Sequence, residues 1–403
     1  MSAAARSGGQ KIPFLRTSNV YWDEIRLDSV DEMSISPTEL QEKSLSSGDL
    51  LVCEGGEVGR AAIWHGQRAV MSFQNHVHRL RPRTPDVHPP FYVYFLQAAF
   101  TQLGLYDGAA NRTTIPNLSR NKLAALDVPR PPLREQKAIA RVLALLREAL
   151  RASEVAAAFG DELKAATMQR LFTRGLHNEP QKDTVIGPMP DSWDVVEFST
   201  VRKSLQYGTS ERSSDFGHYP VLRIPNISAA GIDPTHLKFT DLQEEAATPY
   251  LLERGDLLFV RTNGAIDRLG TCAVFAGLPL HAMFASYLIR ARLDLDRLTP
   301  SYASHFLGSQ FGTRQFSARA IPASDGKFNL NMPAIDSLLL PLPKTTEEQD
   351  EIAAVIDAIS AANALHLRKK QVVGELFLSL LNGLMSGSIN VNDLDLGLLE
   401  DTA

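Results

Sequence analysis

The residues of this chain best suited to a specific chemistry are basic and amide side chains in segments predicted as loops. Arg and Lys donate hydrogen bonds to guanine O6 and N7, and Asn and Gln pair with adenine N6 and N7. The first half of the chain carries Arg16, Asn19, Gln74, Asn75, Arg112, Thr113, Thr114 and Asn117. The second half carries Arg223, Asn226, Arg261, Asn263, Arg268, Lys327 and Asn329. These residue types predict contacts with base edges of double-stranded DNA, although each one alone also suits an ordinary solvated loop.

Catalytic signatures are weak by comparison. The segment His88-Pro-Pro-Phe91 is similar to the Asn/Asp-Pro-Pro-Tyr loop of amino-methyltransferases, but histidine is a poor acceptor for the target amine. A glycine-rich turn that could hold S-adenosylmethionine does not accompany it. The segment Gly55-Gly-Glu-Val-Gly59 lacks the Gly-Lys-Ser/Thr ending of a phosphate-binding loop. We therefore predict no catalytic residue and a chain that is not itself an enzyme.

Metal binding is a further alternative. His76 and His78 share one face of a predicted strand, and His65 and Cys53 are further candidate ligands. Isolated strand histidines are more often structural, so no metal site is predicted. Two cysteines and no CxxC pair exclude a disulfide scaffold and favour a reducing, cytoplasmic location.

The elements that must position these residues occur twice. Leu45-x-x-Gly-Asp-Leu-Leu51 matches Leu252-x-x-Gly-Asp-Leu-Leu258 at an offset of 207. The segment around Glu135-Gln136-x-x-Ile139 matches that around Glu348-Gln349-x-x-Ile352 at an offset of 213. The landmarks keep their order, so the sequence predicts an internal duplication. The alternative is two unrelated domains that share short motifs.

Each half contains a predicted hairpin followed by a long helix. Leu50–Cys53 and Leu257–Val260 are apolar runs between glycines and are typical of buried strands. Prolines at 129–132 and 341–343 precede long proline-free stretches. In the second stretch a 4,3 spacing joins ten residues: Ile352, Ile356, Ile359, Asn363, His366, Lys370, Val373, Phe377, Leu380 and Leu384. This spacing predicts a heptad seam with a polar middle, on a helix of about 60 Å for forty residues.

Composition and charge exclude several classes of protein. Hydrophobic residues make up 44% of the 403, with a net charge of −5, which excludes disordered and collagen-like classes and argues against a simple basic nucleic-acid binder. No apolar run is long enough for a bilayer, so no membrane partner is expected. The predicted domains are residues 1–132 and 194–343, with helices at 133–176 and 344–387, a polar linker at 177–193 and a fraying tail at 388–403.

Several of these motifs together resemble the specificity subunits of Type I restriction-modification enzymes. The resemblance lies in the Gly-Asp-Leu-Leu turns, in Thr114-Ile-Pro-Asn-Leu118, in the Pro-rich helix head ending Glu135-Gln136, and in Ile186-Gly-Pro-Met-Pro-Asp-Ser-Trp193. It covers nearly the whole chain. It implies an α+β fold: two homologous mixed α/β target-recognition domains separated by two long antiparallel helices.

The same resemblance implies a function and partners. The chain would be the DNA-recognition subunit that reads a bipartite site, with two modification (methyltransferase) subunits docked on its helices and a restriction subunit able to join. S-adenosylmethionine would be bound by the methyltransferase partners, with no cofactor in this chain. The partner contacts are placed at the helix heads, on Glu135, Gln136, Ile139, Glu348, Gln349 and Ile352.

The first half departs from this pattern because it has no counterpart of Ile186–Tyr207. It either lacks an opening strand, or the C-terminal segment supplies that edge, or the start of the chain is truncated. The competing class of function is a duplicated helical scaffold without DNA specificity. Copurification with a methyltransferase distinguishes the two.

Overall fold

The structure is a computed structural model in which residues 11–104 and 117–394 are described. The chain divides into two compact units. Unit 1 comprises residues 1–154 and 368–403, and unit 2 comprises residues 155–367. Each unit therefore takes its globular part from one half of the sequence and parts of both long helices.

Unit 1 is a mixed α/β unit built on two three-stranded sheets and a short hairpin. Its strands are β1 (Lys11–Leu15), β2 (Val20–Tyr21), β3 (Glu24–Ile25), β4 (Asp31–Ser34), β5 (Leu50–Cys53), β6 (Ala61–Ile63), β7 (Ser72–Phe73) and β8 (Val77–Leu80). Its helices are α1 (Pro37–Lys43), α2 (Pro89–Thr101), α3 (Arg120–Ala124) and the first part of α4 (Leu133–Arg174). The strand orders are β4-β1-β7 and β6-β5-β8, and β2 pairs with β3.

Unit 2 contains the same elements and more. Its strands are β9 (Gln181–Thr184), β10 (Gly187–Pro190), β11 (Asp194–Glu197), β12 (Arg202–Tyr207), β13 (Tyr219–Leu222), β14 (Ile227–Ser228), β15 (Gly231–Ile232), β16 (Lys238–Thr240), β17 (Leu257–Val260), β18 (Thr262–Asn263), β19 (Cys272–Val274), β20 (Met283–Phe284), β21 (Leu288–Leu293), β22 (Ile321–Pro322), β23 (Phe328–Asn329) and β24 (Leu339–Leu342). Its helices are α5 (Glu244–Ala247), α6 (Pro300–Gly308), α7 (Gln310–Ala318), α8 (Met332–Asp336) and the first part of α9 (Thr346–Ser386).

The predicted duplication is confirmed by strand pairing. In unit 1, β1 pairs antiparallel with β4 and parallel with β7, and in unit 2 β13 pairs in the same two ways with β16 and β20. The buried strands β5 and β17 each lie between two antiparallel neighbours. The expected α+β class, with two domains of one topology and two long helices, is thus confirmed.

The Gly-Asp-Leu-Leu motif has a structural role in both units. The buried Asp49 carboxylate accepts a hydrogen bond from the backbone N–H of Ser46 at 2.8 Å and pairs with Arg81. Asp256 accepts from the N–H of Glu253 at 2.9 Å and from Arg292 Nε at 3.2 Å. Burial raises the pKa of Asp256, while these donors oppose the shift. The motif therefore closes a turn and joins it to a neighbouring strand.

The second glycine of each predicted hairpin turn is required by its surroundings. Gly59 has φ +84°, and a Cβ atom there would lie 2.8 Å from the Phe100 ring. Gly270 has φ +77°, and a Cβ atom there would lie 2.3 Å from the Phe316 ring. A left-handed backbone and a close aromatic contact together favour glycine. The same turn therefore packs under a phenylalanine in both halves.

Within each unit, α4 and α9 contact one another. In unit 1, Lys370 Nζ lies 3.0 Å from the Glu154 carboxylate. In unit 2, Asn363 Nδ2 donates to Asp161 Oδ1 at 2.6 Å, and Asn363 also covers Gly160. The predicted seam is apolar at its ends, where Ile352, Ile356, Phe377 and Leu384 are buried, whereas His366 and Lys370 are exposed. Of the polar middle of the seam, Asn363 is therefore buried between α4 and α9, whereas His366 and Lys370 are exposed.

Two segments differ from the sequence prediction. The expected polar linker at 177–193 contains the β9–β10 hairpin, and Met189 and Trp193 belong to the core of unit 2. The expected fraying tail begins with an ordered part, because Val391 is buried in the core of unit 1. The apolar anchors of both segments are too sparse to produce a periodic signal in the sequence.

Candidate nucleic-acid interface

Two of the predicted base-reading residues are structural. Asn19 is 4% exposed and Asn226 is 2% exposed. Asn19 Oδ1 accepts from the N–H of Arg16 at 2.9 Å, and its Nδ2 donates to the carbonyls of Arg26 and Ser29. Asn226 makes the equivalent hydrogen bonds: its Oδ1 accepts from the N–H of Arg223, and its Nδ2 donates to the carbonyls of Asp233 and Thr235. Because all these hydrogen bonds are internal, the prediction that these amides face DNA was wrong.

Four predicted residues of unit 2 come together at the β18–β23 pair. Asn263 lies on β18 opposite Phe328, and Asn329 lies on β23 opposite Thr262. Arg261 directly precedes β18, and Lys327 precedes β23. Asn263 and Lys327 line a depression of about 290 Å³ together with the exposed ring of Tyr287. The arrangement presents a basic, amide-rich and aromatic surface.

Arg261 is held in place by an aromatic ring and two backbone carbonyls. Its guanidinium carbon lies 4.7 Å from the centre of the Tyr207 ring, and its nitrogens donate to the carbonyls of Ser286 (3.3 Å) and Leu330 (3.4 Å). A stacked guanidinium keeps its charge and its planar donor geometry. Such a group suits a planar hydrogen-bonding partner such as a guanine edge.

The other two predicted residues of unit 2 lie around this patch. Arg223 donates to the carbonyl of His236 at 3.0 Å, and Arg268 is exposed at the end of the 266–268 turn. Lys327 is exposed but paired with Asp325 at 2.9 Å.

The predicted residues of unit 1 are more scattered. Arg16 pairs with Asp31 at 3.0 Å, and the exposed Asn75 accepts from Lys43 Nζ at 2.7 Å. Gln74 and Asn117 are half-buried. Arg112, Thr113 and Thr114 lie outside the described residues. The described part of unit 1 therefore does not gather its predicted residues into one patch.

Main-chain hydrogen bonds identify the unit 1 position that corresponds to Arg261. In unit 2 the carbonyl of Arg261 accepts from the N–H of Leu330, and its own N–H donates to Tyr287. In unit 1 the carbonyl of Glu54 accepts from Leu118, and its N–H donates to His76. The side chains of Glu54 and His76 lie 3.3 Å apart. The sequence prediction selected mainly hydrogen-bond donors and therefore omitted Glu54. The offset of 207 nevertheless aligns Glu54 with Arg261.

A second group that sequence analysis missed lies on the β2–β3 hairpin of unit 1. The guanidinium carbons of Arg26 and Arg60 lie 4.1 and 4.8 Å from the centre of the Tyr21 ring. Arg26 also pairs with Glu24, and Arg60 with Glu57. Each arginine therefore stacks on Tyr21 and pairs with a glutamate, so the two positive charges are balanced by two carboxylates.

The predicted partner-subunit contacts require a correction. Gln136, Ile139, Gln349 and Ile352 are buried within their own units. Gln136 Oε1 accepts from the N–H of His88 at 2.8 Å, and Gln349 Oε1 accepts in the same way from Thr299 at 2.8 Å. Buried side chains cannot contact another subunit directly, so these residues fix the start of each long helix to the preceding loop.

The remaining helix-head residues are Glu135 and Glu348, and both are half-buried. Glu348 accepts from Trp193 Nε1 at 3.2 Å, and burial raises the pKa of its carboxyl. A role for either residue in binding a partner subunit stays a prediction.

The histidines considered as metal ligands have other contacts. His76 faces Glu54, and His78 Nε2 lies 2.8 Å from the carbonyl of Leu118. Burial raises the pKa of the Cys53 thiol to about 12, which keeps it protonated. Within residues 11–104 and 117–394, His, Cys, Asp and Glu side chains form no group of three suited to a metal. In the same ranges, no helix combines the length and hydropathy needed to span a membrane.

Comparison with known proteins gives consistent matches. Residues 1–154 match the family model described as the Type I restriction modification DNA specificity domain. The chain is 26% identical over 282 residues to the Type I restriction enzyme EcoKI specificity subunit of Escherichia coli K12, covering 68% of this chain and 60% of that protein. It is 22% identical over 352 residues to the MjaVIII specificity subunit of Methanocaldococcus jannaschii, covering 86% and 80%. The chain is related to the specificity subunits of Type I restriction enzymes.

The fold is shared with a solved specificity subunit. The S subunit of a Type I restriction-modification system from M. genitalium superposes with a TM-score of 0.56 at 14% sequence identity, covering 95% of this chain and 91% of that one. At this identity the similarity concerns the fold. The match to the EcoKI specificity subunit covers less than two thirds of that subunit's length.

Proposed function

We propose that the chain is the non-catalytic DNA-recognition subunit of a Type I restriction-modification complex and reads the two halves of a bipartite site with its two units. The supporting observation is the pair of equivalent positions Glu54 and Arg261. Their main-chain hydrogen bonds are the same, but their side chains have opposite charge. Glutamate accepts from cytosine N4, whereas arginine donates to guanine O6 and N7. Two units with the same fold but different base-contacting side chains are suited to two different half-sites.

The charge of the chain favours action within a complex. A net charge of −5 gives no general attraction to phosphates, whereas phosphate contacts supply most of non-specific DNA affinity. In this proposal two modification subunits, which bind S-adenosylmethionine, supply those contacts and the methyl transfer, and restriction subunits join the same complex. The lone chain is then a weak DNA binder whose affinity rises on assembly.

The test is a block exchange in the assembled complex. Residues 14–128 are replaced by the corresponding block of another specificity subunit, and methylated sites are mapped by sequencing. The expected result is a change in one half of the recognised site with the other half preserved. An unchanged site would contradict the proposal and favour a scaffold without DNA specificity. A matched exchange of residues 221–340 should change the other half.

A further inference from the structure

Unit 2 carries a surface depression beside Arg261 whose lining combines apolar and polar groups. The depression has a volume of about 290 Å³. Its lining residues are Ile224, Thr262, Asn263, Gly264, Tyr287 and Lys327. A concave surface with an apolar wall and a few placed polar groups suits a small ligand group that has both characters.

The depression lies directly against the group that is proposed to contact guanine. The N–H of Arg261 donates to the carbonyl of Tyr287 at 3.1 Å. The Arg261 guanidinium donates to the carbonyl of Ser286, the residue before Tyr287, at 3.3 Å. Successive bases lie about 3.4 Å apart along a DNA strand. A base next to the one that meets Arg261 is therefore within reach of the depression.

The apolar wall of the depression is formed by Ile224 and Tyr287. Tyr287 is 58% exposed, and Ile224 is half-buried. The apolar surface that these side chains leave in contact with water gains free energy when another apolar group covers it. The apolar group that DNA presents at a base edge in the major groove is the C5 methyl group of thymine.

The polar groups of the depression include two hydrogen-bond donors. Asn263 Oδ1 accepts from the N–H of Ala265 at 3.0 Å, so the amide nitrogen Nδ2 is the group that Asn263 offers to a ligand. Lys327 Nζ lies 2.9 Å from Asp325 and has further protons to donate. Donors favour a base with an acceptor at its major-groove edge, such as guanine O6 or thymine O4. Of these two bases, only thymine also carries a methyl group.

The equivalent positions of unit 1 are more polar. The offset of 207 aligns Ile224 with Thr17. Equivalent main-chain hydrogen bonds align Tyr287 with His76, whose ring lies 3.3 Å from the Glu54 carboxylate. The shared fold therefore does not require an apolar wall at this place, and the wall is a feature of unit 2.

We propose that the depression recognises a thymine, with Tyr287 and Ile224 against its C5 methyl group and with Asn263 and Lys327 donating to its O4. This inference rests on the proposed function, because it names one base of the half-site that unit 2 recognises. It makes Tyr287 and Ile224 specificity-determining residues, although neither side chain makes a bidentate hydrogen bond to a base.

The test replaces single thymines by deoxyuridine in DNA that is bound by the assembled complex. Deoxyuridine pairs with adenine and keeps O4 but lacks the methyl group. Each thymine of the half-site that changes on exchange of residues 221–340 is replaced in turn, in either strand, and affinities are measured by competition. At one position uracil should weaken binding about fourfold, which is the effect of one buried methyl group.

Variants of the apolar wall assign that position to the depression. Tyr287→Ser should make thymine and uracil bind equally there, whereas Tyr287→Phe should keep the fourfold ratio because the ring remains. Ile224→Thr, which introduces the residue type of unit 1, should lower the ratio to about twofold. Phe216→Ser is the matched control, because Phe216 is an 85% exposed aromatic residue of unit 2 outside the depression, and the ratio should stay fourfold.

Cytosine at the same position tests the two donors separately from the wall. Cytosine presents the N4 donor in place of O4, so it should bind more weakly than uracil. 5-Methylcytosine restores the methyl group alone. It should bind about fourfold better than cytosine in the wild-type complex and no better in the Tyr287→Ser complex.

Two kinds of failure can be told apart. A unit 2 half-site without an A·T pair, a half-site with no uracil-sensitive thymine, or a thymine-to-uracil ratio that Tyr287→Ser leaves unchanged would overturn the thymine inference. In each of these cases the block exchange still changes one half of the site, and the proposed function stands. A block exchange that leaves the site unchanged would overturn the proposed function and this inference together.

Discussion

Units 1 and 2 share a topology but complete it differently. In unit 2 the sheet has the order β12-β21-β17-β19, whereas the matching sheet in unit 1 is β6-β5-β8, with no described strand in the place of β12. The duplicated residues beneath Phe198 and Val201 are therefore buried in unit 2 and accessible in unit 1. The comparison shows that equivalent apolar residues in the two units are buried only where a further strand packs over them.

The two units also carry opposite charges at one equivalent position. In unit 2, Arg261 and Lys327 lie beside the β18–β23 pair. In unit 1, Arg26 and Arg60 surround Tyr21 on the β2–β3 hairpin, and Glu54 occupies the position of Arg261. A shared scaffold with opposite charges at one position is what the proposed recognition of two different half-sites requires.

The largest expected effect concerns Phe198 in unit 2. Phe198→Ala should lower the free energy of unfolding by about 3–5 kcal/mol, because it removes a fully buried ring. Leu126→Ala in unit 1 should lower it by only about 1 kcal/mol, because Leu126 is half-buried. Urea denaturation monitored by circular dichroism measures both values. Equal losses would remove the contrast between the covered and the open unit.

The next effect tests the shared structural asparagines. Asn19→Ala and Asn226→Ala should each cost about 2–4 kcal/mol, because a buried amide with three internal hydrogen bonds is lost in both units. Thermal unfolding gives the measurement. Asn263→Ala, at a half-exposed position, serves as the control and should cost less than about 0.5 kcal/mol. A large loss of DNA selectivity with unchanged stability in the Asn226 variant would restore its role as a base reader.

A moderate effect is expected at the reading positions. In the assembled complex, Arg261→Ala should weaken discrimination in one half-site by about 1–3 kcal/mol. Glu54→Gln should affect only the other half-site, because it lies in unit 1. Competition binding with single-base variants of the site measures the selectivity. Arg254→Ala, at an exposed arginine outside the predicted base-contact set, is the control for general charge, and it should leave discrimination between sequences unchanged.

The smallest effect is a pH dependence confined to unit 2. Burial lowers the pKa of His305, although Asp357, 2.7 Å from its Nε2, opposes the shift. The unfolded chain then binds more protons just below the ordinary histidine pKa, so stability should fall by under about 1 kcal/mol as the pH drops below about 6.5. His305→Gln should reduce this slope, and Asp357→Asn should increase it. Unfolding free energies between pH 7.5 and 5.5 provide the test, and identical slopes in all three proteins would refute it.

The sequence predicted the duplication, the hairpins and both long helices because these depend on short-range patterns. Glycine turns, apolar runs and heptad spacing each act within a few residues. The prediction from residue type was wrong for Asn19 and Asn226. Their side-chain amides are buried and hydrogen-bonded within the protein. It also failed at Gln136 and Gln349, whose partners lie about fifty residues earlier in the chain.

The amino-acid sequence by itself determined that this protein is built twice on one plan, with a hairpin and a long helix in each half. Only the tertiary structure decided which polar side chains are buried with internal hydrogen bonds and which are exposed. The hydrogen-bond partners of the buried side chains can lie far away in the sequence. It also decided that Glu54 and Arg261 share one position and that only one of the two cores is covered by its described strands. The physical reason is that periodicity is local, whereas burial is a property of the assembled fold.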